Sequence, residues 1–150
     1  MTRINILQEA PEAYQAMRSL ETYLASTQLS KIELELIKLR ASQLNGCAFC
    51  LNMHTRDALK HGETMQRISV LPGWREAGLF SESERALLAL TEEVTLIHQG
   101  GVKDATYQAA EQQFGPKKLG QIVMAITTIN AWNRIVITGH VPIEPEDYSK

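Results

Sequence analysis

Two helix-capping motifs constrain the fold of this chain most strongly. In "SKIE" Ser30 stands three residues before Glu33, and in "SESE" Ser81 stands three residues before Glu84. Such a pair satisfies the free backbone N–H groups at the start of an α-helix, and apolar residues at helical spacing follow each pair. The β-branched runs "VTLIHQ" and "RIVIT" lack strand alternation and hairpin turns, so we interpret them as helical. The sequence therefore predicts an all-α protein.

Glycines and prolines mark the ends of the other predicted helices. The predicted helices cover about 11–25, 30–45, 47–62, 65–69, 81–100, 104–115 and 116–139, with Ser30, Ser81 and Asp104 as N-caps, a turn at Pro72-Gly73 and an irregular segment 140–150. The last helix is apolar on most sides, which favours a central position or a subunit contact. We expect a compact bundle of six to eight helices, with residues 1–150 forming one domain.

Composition and charge exclude several classes of function. Charged residues make up 21% of the chain, the net charge is −2, and acids and bases alternate without a basic patch. This pattern argues against nucleic-acid and anionic-membrane partners. The N-terminal residues lack the apolar stretch of a signal peptide, and no apolar run approaches the roughly 20 residues of a membrane span. We therefore expect a cytoplasmic protein. No Walker loop, GxGxxG motif or haem motif is present, so no cofactor is expected.

The stretch "NGCAFCLNMH" holds both cysteines of the chain, Cys47 and Cys50, and ends at His54, four residues after Cys50. In a reducing compartment such cysteines are more often reactive or metal-binding than structurally paired, although both could be buried apolar residues. On one helix the three side chains would share a sector of about 60°. The helix start favours Cys47 as the more acidic and exposed thiol, whereas contact with His54 one turn away favours Cys50. A thioredoxin-like fold is disfavoured because a capped helix, and not a strand, precedes the motif.

The preceding helix adds Glu35, which borders its apolar stripe. A short turn at Asn45-Gly46 would bring the two helices together, so that Glu35 could face the Cys/His cluster and orient or protonate His54. Three alternatives remain open at this point. Glu35 could be a solvated charge; all four residues could be zinc ligands; or the chain could be a non-enzymatic oligomeric binding protein with idle cysteines.

The spacing Glu35-x11-Cys47-x2-Cys50-x3-His54 resembles the alkyl hydroperoxidase D-like branch of the carboxymuconolactone decarboxylase family. The segments "ERALLALTEEVT" and "ITTINAWNRI" are also similar, so the resemblance covers roughly residues 30–138. It implies a helical subunit that assembles as trimers or hexamers and reduces organic hydroperoxides. Cys50 would attack the peroxide, Cys47 would resolve the product, His54 would act as base and Glu35 as its partner. A dithiol or a thiol protein would restore the pair, with no metal involved.

One residue departs from this family pattern. Well-known members carry a second histidine immediately before the second cysteine, and Phe49 occupies that position here. The implied proton relay therefore lacks one member, which puts the peroxidase rate and the reducing partner in question. A general disulfide reductase would use the same residues. Decarboxylases of the wider family lack the cysteine pair, so its presence argues against lactone decarboxylation.

Overall fold

A computed structural model describes residues 3–145 of the chain, which contain helices and no strand. The α-helices are α1 (Ile6–Glu9), α2 (Pro11–Ala25), α3 (Lys31–Asn45), α4 (Ala48–Lys60), α5 (Met65–Val70), α6 (Trp74–Ala77), α7 (Glu82–Thr95) and α8 (Asp104–Gly139). Two 3₁₀-helices cover Leu71–Gly73 and Ile97–Gln99. The predicted all-α class is confirmed. Residues 141–145 are irregular, and the last five residues of the predicted irregular tail lie outside the described part.

Both predicted capping boxes are present. The hydroxyl of Ser30 accepts the N–H of Glu33 (3.1 Å), while the Glu33 carboxylate accepts the N–H of Ser30 (2.8 Å). Ser81 and Glu84 repeat this exchange at the start of α7, at 3.2 and 2.9 Å. Each box satisfies two N–H groups that the first turn of a helix leaves free. The starts of α3 and α7 are therefore encoded locally.

Helix α8 combines two predicted helices that meet at Gly115. This glycine has φ 69° and ψ 167°, a conformation that residues with a Cβ rarely adopt. Pro116 follows it, as expected for the first turn of a new helix. The predicted boundary between 115 and 116 is thus a break inside one long helical segment.

Two predictions at helix ends are wrong. Asp104 is the first residue of α8, and Lys103 holds the N-cap position because its N–H donates to the carboxylate of Glu93 on α7 (2.8 Å). Helix α7 ends at Thr95, and a 3₁₀ turn replaces its predicted last turn. Helices α1 and α6 were not predicted, because each has only four residues and is too short to show a helical period.

The second half of α8 lies at the centre of the bundle, packed against α2, α3 and α7. Its inward side chains are fully or almost fully buried: Leu119, Ile122, Ala125, Ile126 and Ile129. Burying one such Ile or Leu contributes roughly 1.5–3 kcal/mol, so this helix supplies much of the core. Of the two predicted settings for the apolar last helix, the structure shows the central one. No helix within residues 3–145 is long and apolar enough to cross a membrane.

The buried carboxylate of Glu92, on α7, forms hydrogen bonds with side chains of the surrounding helices. Glu92 accepts hydrogen bonds from Arg40 of α3 (2.8 Å), the Trp74 indole (2.8 Å) and Arg75 of α6 (2.6 Å). Burial alone would raise the pKa of Glu92. The three donors outweigh burial, so the pKa lies below its ordinary value of 4.5. The ionised form of Glu92 therefore stabilises the fold.

Candidate active site

A tight turn between α3 and α4 presents the first cysteine. Helix α3 ends at Asn45, and Gly46 takes the left-handed conformation (φ 69°, ψ 33°) that suits glycine at a helix end. The N–H of Cys47 then donates to the carbonyl of Ser42 (3.0 Å), and Cys47 becomes the N-cap of α4. The predicted helix end at Asn45-Gly46 is confirmed.

Cys47 and Cys50 are joined by a disulfide, and their Cα atoms lie 5.4 Å apart. Cys47 precedes α4 in an extended conformation, so the sequence analysis was wrong to place it on the helix surface. Both cysteines are buried, with exposed fractions of 0% for Cys47 and 1% for Cys50, so exposure does not favour Cys47 in the way that its place at the helix start suggested. The two sulfur atoms are still close enough to bond, because an N-cap residue lies one helical turn before the third residue of its helix.

Cys50 is that third residue of α4, within the first turn. Backbone N–H groups and the helix dipole stabilise negative charge there, and this lowers the energy of a thiolate. Reduction of the disulfide would place a thiol in this environment. The local backbone thus favours the ionised form that nucleophilic attack or metal binding requires.

His54 and Glu35 form a buried pair beside the disulfide. The Nδ1 atom of His54 lies 3.0 Å from Oε2 of Glu35, and the two residues are 6% and 7% exposed. In the tautomer whose Nδ1–H donates to Glu35, the Nε2 atom of the imidazole is available to accept a proton. His54 lies one turn after Cys50 on the same helix, so the pair can supply a base near this sulfur. The alternative of Glu35 as a solvated charge is wrong.

A third titratable group, Asp57, lies with this pair. Ligand atoms of Glu35, His54 and Asp57 all lie within 4.8 Å of one another. The Asp57 side chain is 37% exposed and contacts Lys60 at 3.4 Å. The sequence analysis missed Asp57, although its position three residues after His54 places both on one helix face. The alternative metal set also changes, because the two cysteines bond to each other and Asp57 joins His54 and Glu35.

Phe49, at the position of the second relay histidine in the resemblance, is half-buried on α4. Its ring can neither accept nor donate a proton. The titratable groups that the structure collects here are therefore His54, Glu35 and Asp57. The roles assigned to Cys47, Cys50, His54 and Glu35 remain predictions.

Comparison with known proteins identifies the family. The family model described as "Carboxymuconolactone decarboxylase family" matches residues 9–93. The chain belongs to the carboxymuconolactone decarboxylase family. This family member is 42% identical over 135 residues to the uncharacterized protein YdfG of Bacillus subtilis (strain 168), covering 90% of this chain and 92% of YdfG.

Solved structures agree with the alkyl hydroperoxidase D-like branch of the family. A protein of unknown function from Agrobacterium tumefaciens, which its description connects with antioxidant defence and AhpD, has 38% sequence identity and a TM-score of 0.93. That comparison covers 97% of this chain and all of the other. The debrominase Bmp8 has a TM-score of 0.81 at 16% identity, over 92% of this chain and 74% of Bmp8. This second likeness concerns the fold alone, and it shows that one fold serves more than one reaction.

Proposed function

We propose that this family member is a thiol-dependent hydroperoxide reductase with Cys47 and Cys50 as its redox centre. The observation that carries the proposal is the disulfide between these cysteines, one helical turn from the buried His54–Glu35 pair. The Agrobacterium relative, connected by its description with antioxidant defence, supports the same chemistry. The electrons would come from an external dithiol or thiol protein.

The first step would be attack by Cys50 on an organic hydroperoxide. His54 Nε2 takes the thiol proton, directly or through one water, and leaves a thiolate at the start of α4. The thiolate attacks the terminal peroxide oxygen, the O–O bond breaks, and Cys50 becomes a sulfenic acid while the alkoxide leaves. His54 returns its proton to the alkoxide. Between these transfers Glu35 stabilises the imidazolium, because its carboxylate accepts the Nδ1–H.

The second step would be resolution by Cys47. Its sulfur attacks the sulfur of the Cys50 sulfenic acid, an S–S bond forms, and hydroxide leaves with the Cys47 proton as water. In the disulfide product the two Cα atoms lie 5.4 Å apart, within the range of disulfides. An external dithiol then reduces the disulfide through a mixed disulfide and is itself oxidised.

A thiol count tests this proposal. Reduced protein, freed of reductant, receives one equivalent of cumene hydroperoxide, and free thiols are counted by alkylation and mass spectrometry. We expect two thiols per chain to disappear and to return with dihydrolipoamide. Cys50→Ser should consume no peroxide, whereas Cys47→Ser should consume one equivalent and leave a sulfenic acid that dimedone traps.

Two outcomes would contradict the proposal. Thiols that peroxide leaves intact, but that a low-molecular-weight disulfide oxidises, would identify a disulfide reductase. A Cys50→Ser variant that consumes peroxide like the parent would remove Cys50 from the chemistry.

We also propose that the chain assembles as a homotrimer or homohexamer. Large apolar side chains remain at least 40% exposed on the single chain, among them Met53, Met65, Ile97 and Tyr107. Association of identical subunits would remove such surface from water. Size-exclusion chromatography with light scattering should give three or six times the subunit mass of 16.8 kDa. A monomeric mass at micromolar concentration would contradict this expectation.

A further inference from the structure

A cluster of amide side chains joins α8 to the end of α3, directly behind the cysteine turn. Asn45 donates from Nδ2 to the side-chain oxygens of Asn130 and Asn133, both at 2.9 Å. Asn133 donates from Nδ2 to the hydroxyl of Ser42 at 3.0 Å. We call these four residues, Ser42, Asn45, Asn130 and Asn133, the amide cluster. Asn133 and Ser42 are almost completely buried, so the hydrogen bond between them is shielded from water, whereas the two bonds of Asn45 are partly buried.

The direction of every bond in the amide cluster is determined by its surroundings. Arg134, which can only donate, places Nη1 3.1 Å from the side-chain oxygen of Asn130. The carbonyl of Ile126, which can only accept, takes the Asn130 amide at 2.9 Å. Asn130 is therefore fixed with its oxygen toward Asn45. Asn45 must then donate, which makes Asn133 accept with its oxygen and donate to Ser42 with its nitrogen.

This chain of bonds ends at Cys47. Ser42 and Asn45, which α8 holds through their side chains, lie on the last turn of α3. The carbonyl of the same Ser42 accepts the N–H of Cys47 at 3.0 Å, across Gly46. Helix α8 thus holds both Asn45, the last residue before the turn, and Ser42, whose carbonyl accepts the N–H of Cys47. Cys50 depends on its own helix and has no such link in the described residues.

We propose that the amide cluster is the positioning element of the redox centre, with Asn133 as its key positioning residue. By holding Cys47 beside Cys50 in the reduced protein, the cluster raises the effective concentration of one thiol at the other. This favours the disulfide over the dithiol and speeds resolution of a sulfenic acid at Cys50. The inference rests on the redox role proposed above, although its main readout does not require peroxide.

Asn133→Ala and Ser42→Ala test this role. Both should lower the effective concentration of Cys47 at Cys50, by roughly tenfold for the asparagine variant, and shift the dithiol–disulfide equilibrium by the same factor. For a two-electron couple, a tenfold shift raises the midpoint potential by about 30 mV. The double variant should shift no more than Asn133→Ala alone, because the Ser42 hydroxyl acts through its bond to Asn133, which Asn133→Ala has already removed.

Two measurements are needed. The midpoint potential is obtained by equilibration in glutathione buffers followed by alkylation and mass spectrometry. The lifetime of the sulfenic acid after peroxide addition, followed by dimedone trapping, should lengthen about tenfold. Gln121→Met is the matched control: Gln121 is also buried on α8, and its side-chain oxygen accepts the N–H of Gln28 in the connection between α2 and α3 (3.0 Å), away from the cysteine turn. It should lose stability without any shift in potential.

The outcomes separate this inference from the proposed function. Shifted potentials in a protein that ignores peroxide would support the amide cluster and reject the peroxidase. Peroxide turnover with potentials of Ser42→Ala and Asn133→Ala equal to that of Gln121→Met would reject the cluster alone. Should Asn133→Ala fail to fold, Ser42→Ala, which removes a single hydroxyl, decides the result.

Discussion

Replacing His54 by asparagine distinguishes the roles of its two ring nitrogens. The asparagine Nδ2 would stand near the position of Nδ1, 3.0 Å from Oε2 of Glu35, and can keep that hydrogen bond. The proton acceptor at Nε2 is lost. Keeping the bond matters, because His54→Ala would leave Glu35 as an unpaired buried carboxylate and cost about 3–5 kcal/mol of stability. The asparagine variant should therefore report on chemistry.

The size of the effect follows from thiol ionisation. An ordinary cysteine thiol has a pKa near 8.5, so about 3% is thiolate at pH 7. If His54 supplies the thiolate, the rate of His54→Asn should fall by at most about 30-fold at pH 7, and by less to the extent that the start of α4 itself lowers the energy of the Cys50 thiolate. At pH 9.5 the thiol ionises without help, and the deficit should shrink to less than about threefold.

Single-turnover peroxide consumption by the reduced protein, followed from pH 6 to 10, measures this difference. His61→Asn is the control, because His61 is an exposed histidine at the end of the same helix and should leave the rate unchanged. Equal rates at pH 7 would show that Cys50 does not use His54 as base. A 30-fold deficit that persists at pH 9.5 would place the action of His54 on the leaving alkoxide instead.

Further predictions concern the fold. Glu92→Gln should cost about 2 kcal/mol of unfolding free energy in urea at pH 7, whereas exposed Glu82→Gln should cost little. Because the fold lowers the pKa of Glu92, its stabilisation is present above about pH 4.5 and is lost as pH falls further, so the difference in stability between parent and Glu92→Gln should narrow as the pH falls below 4.5. Gly115→Ala should lower stability by roughly 1–3 kcal/mol through its positive φ, while Gly120→Ala, within regular helix, should raise it by up to about 1 kcal/mol; equal effects would refute the backbone argument.

Local signals explain why much of the fold could be predicted. The capping boxes at Ser30 and Ser81 need only residues three apart in sequence, and both form as expected. Two helical periods joined by a short turn made the contact of Glu35 with His54 possible, and the family resemblance then favoured it over a solvated charge. Such features depend on few tertiary contacts, so the sequence is sufficient to place them.

Features that depend on distant contacts were missed or misplaced. The N-cap of α8 moved to Lys103 because a carboxylate from α7 accepts its N–H, a contact that no local pattern contains. The amide cluster joins residues 85 and 88 positions apart through side chains. In the sequence, Asn133 was one of several polar residues on an apolar helix. Only the packing of α3 on α8 shows what it binds.

The candidate site and most of the core lie on different helices, and this bears on how one fold can serve different reactions. The proposed reactive groups, Cys47, Cys50, His54 and Glu35, all lie on the α3–α4 hairpin, while the core is built mainly by α3, α7 and α8. We therefore expect substitutions on the outer helix α4 to change the chemistry with little loss of core packing. The position of Cys47 is different, because α8 holds it through the amide cluster. We therefore expect the identity of the reacting groups to vary independently of the core. The dithiol–disulfide equilibrium of the cysteine pair, in contrast, should depend on the core.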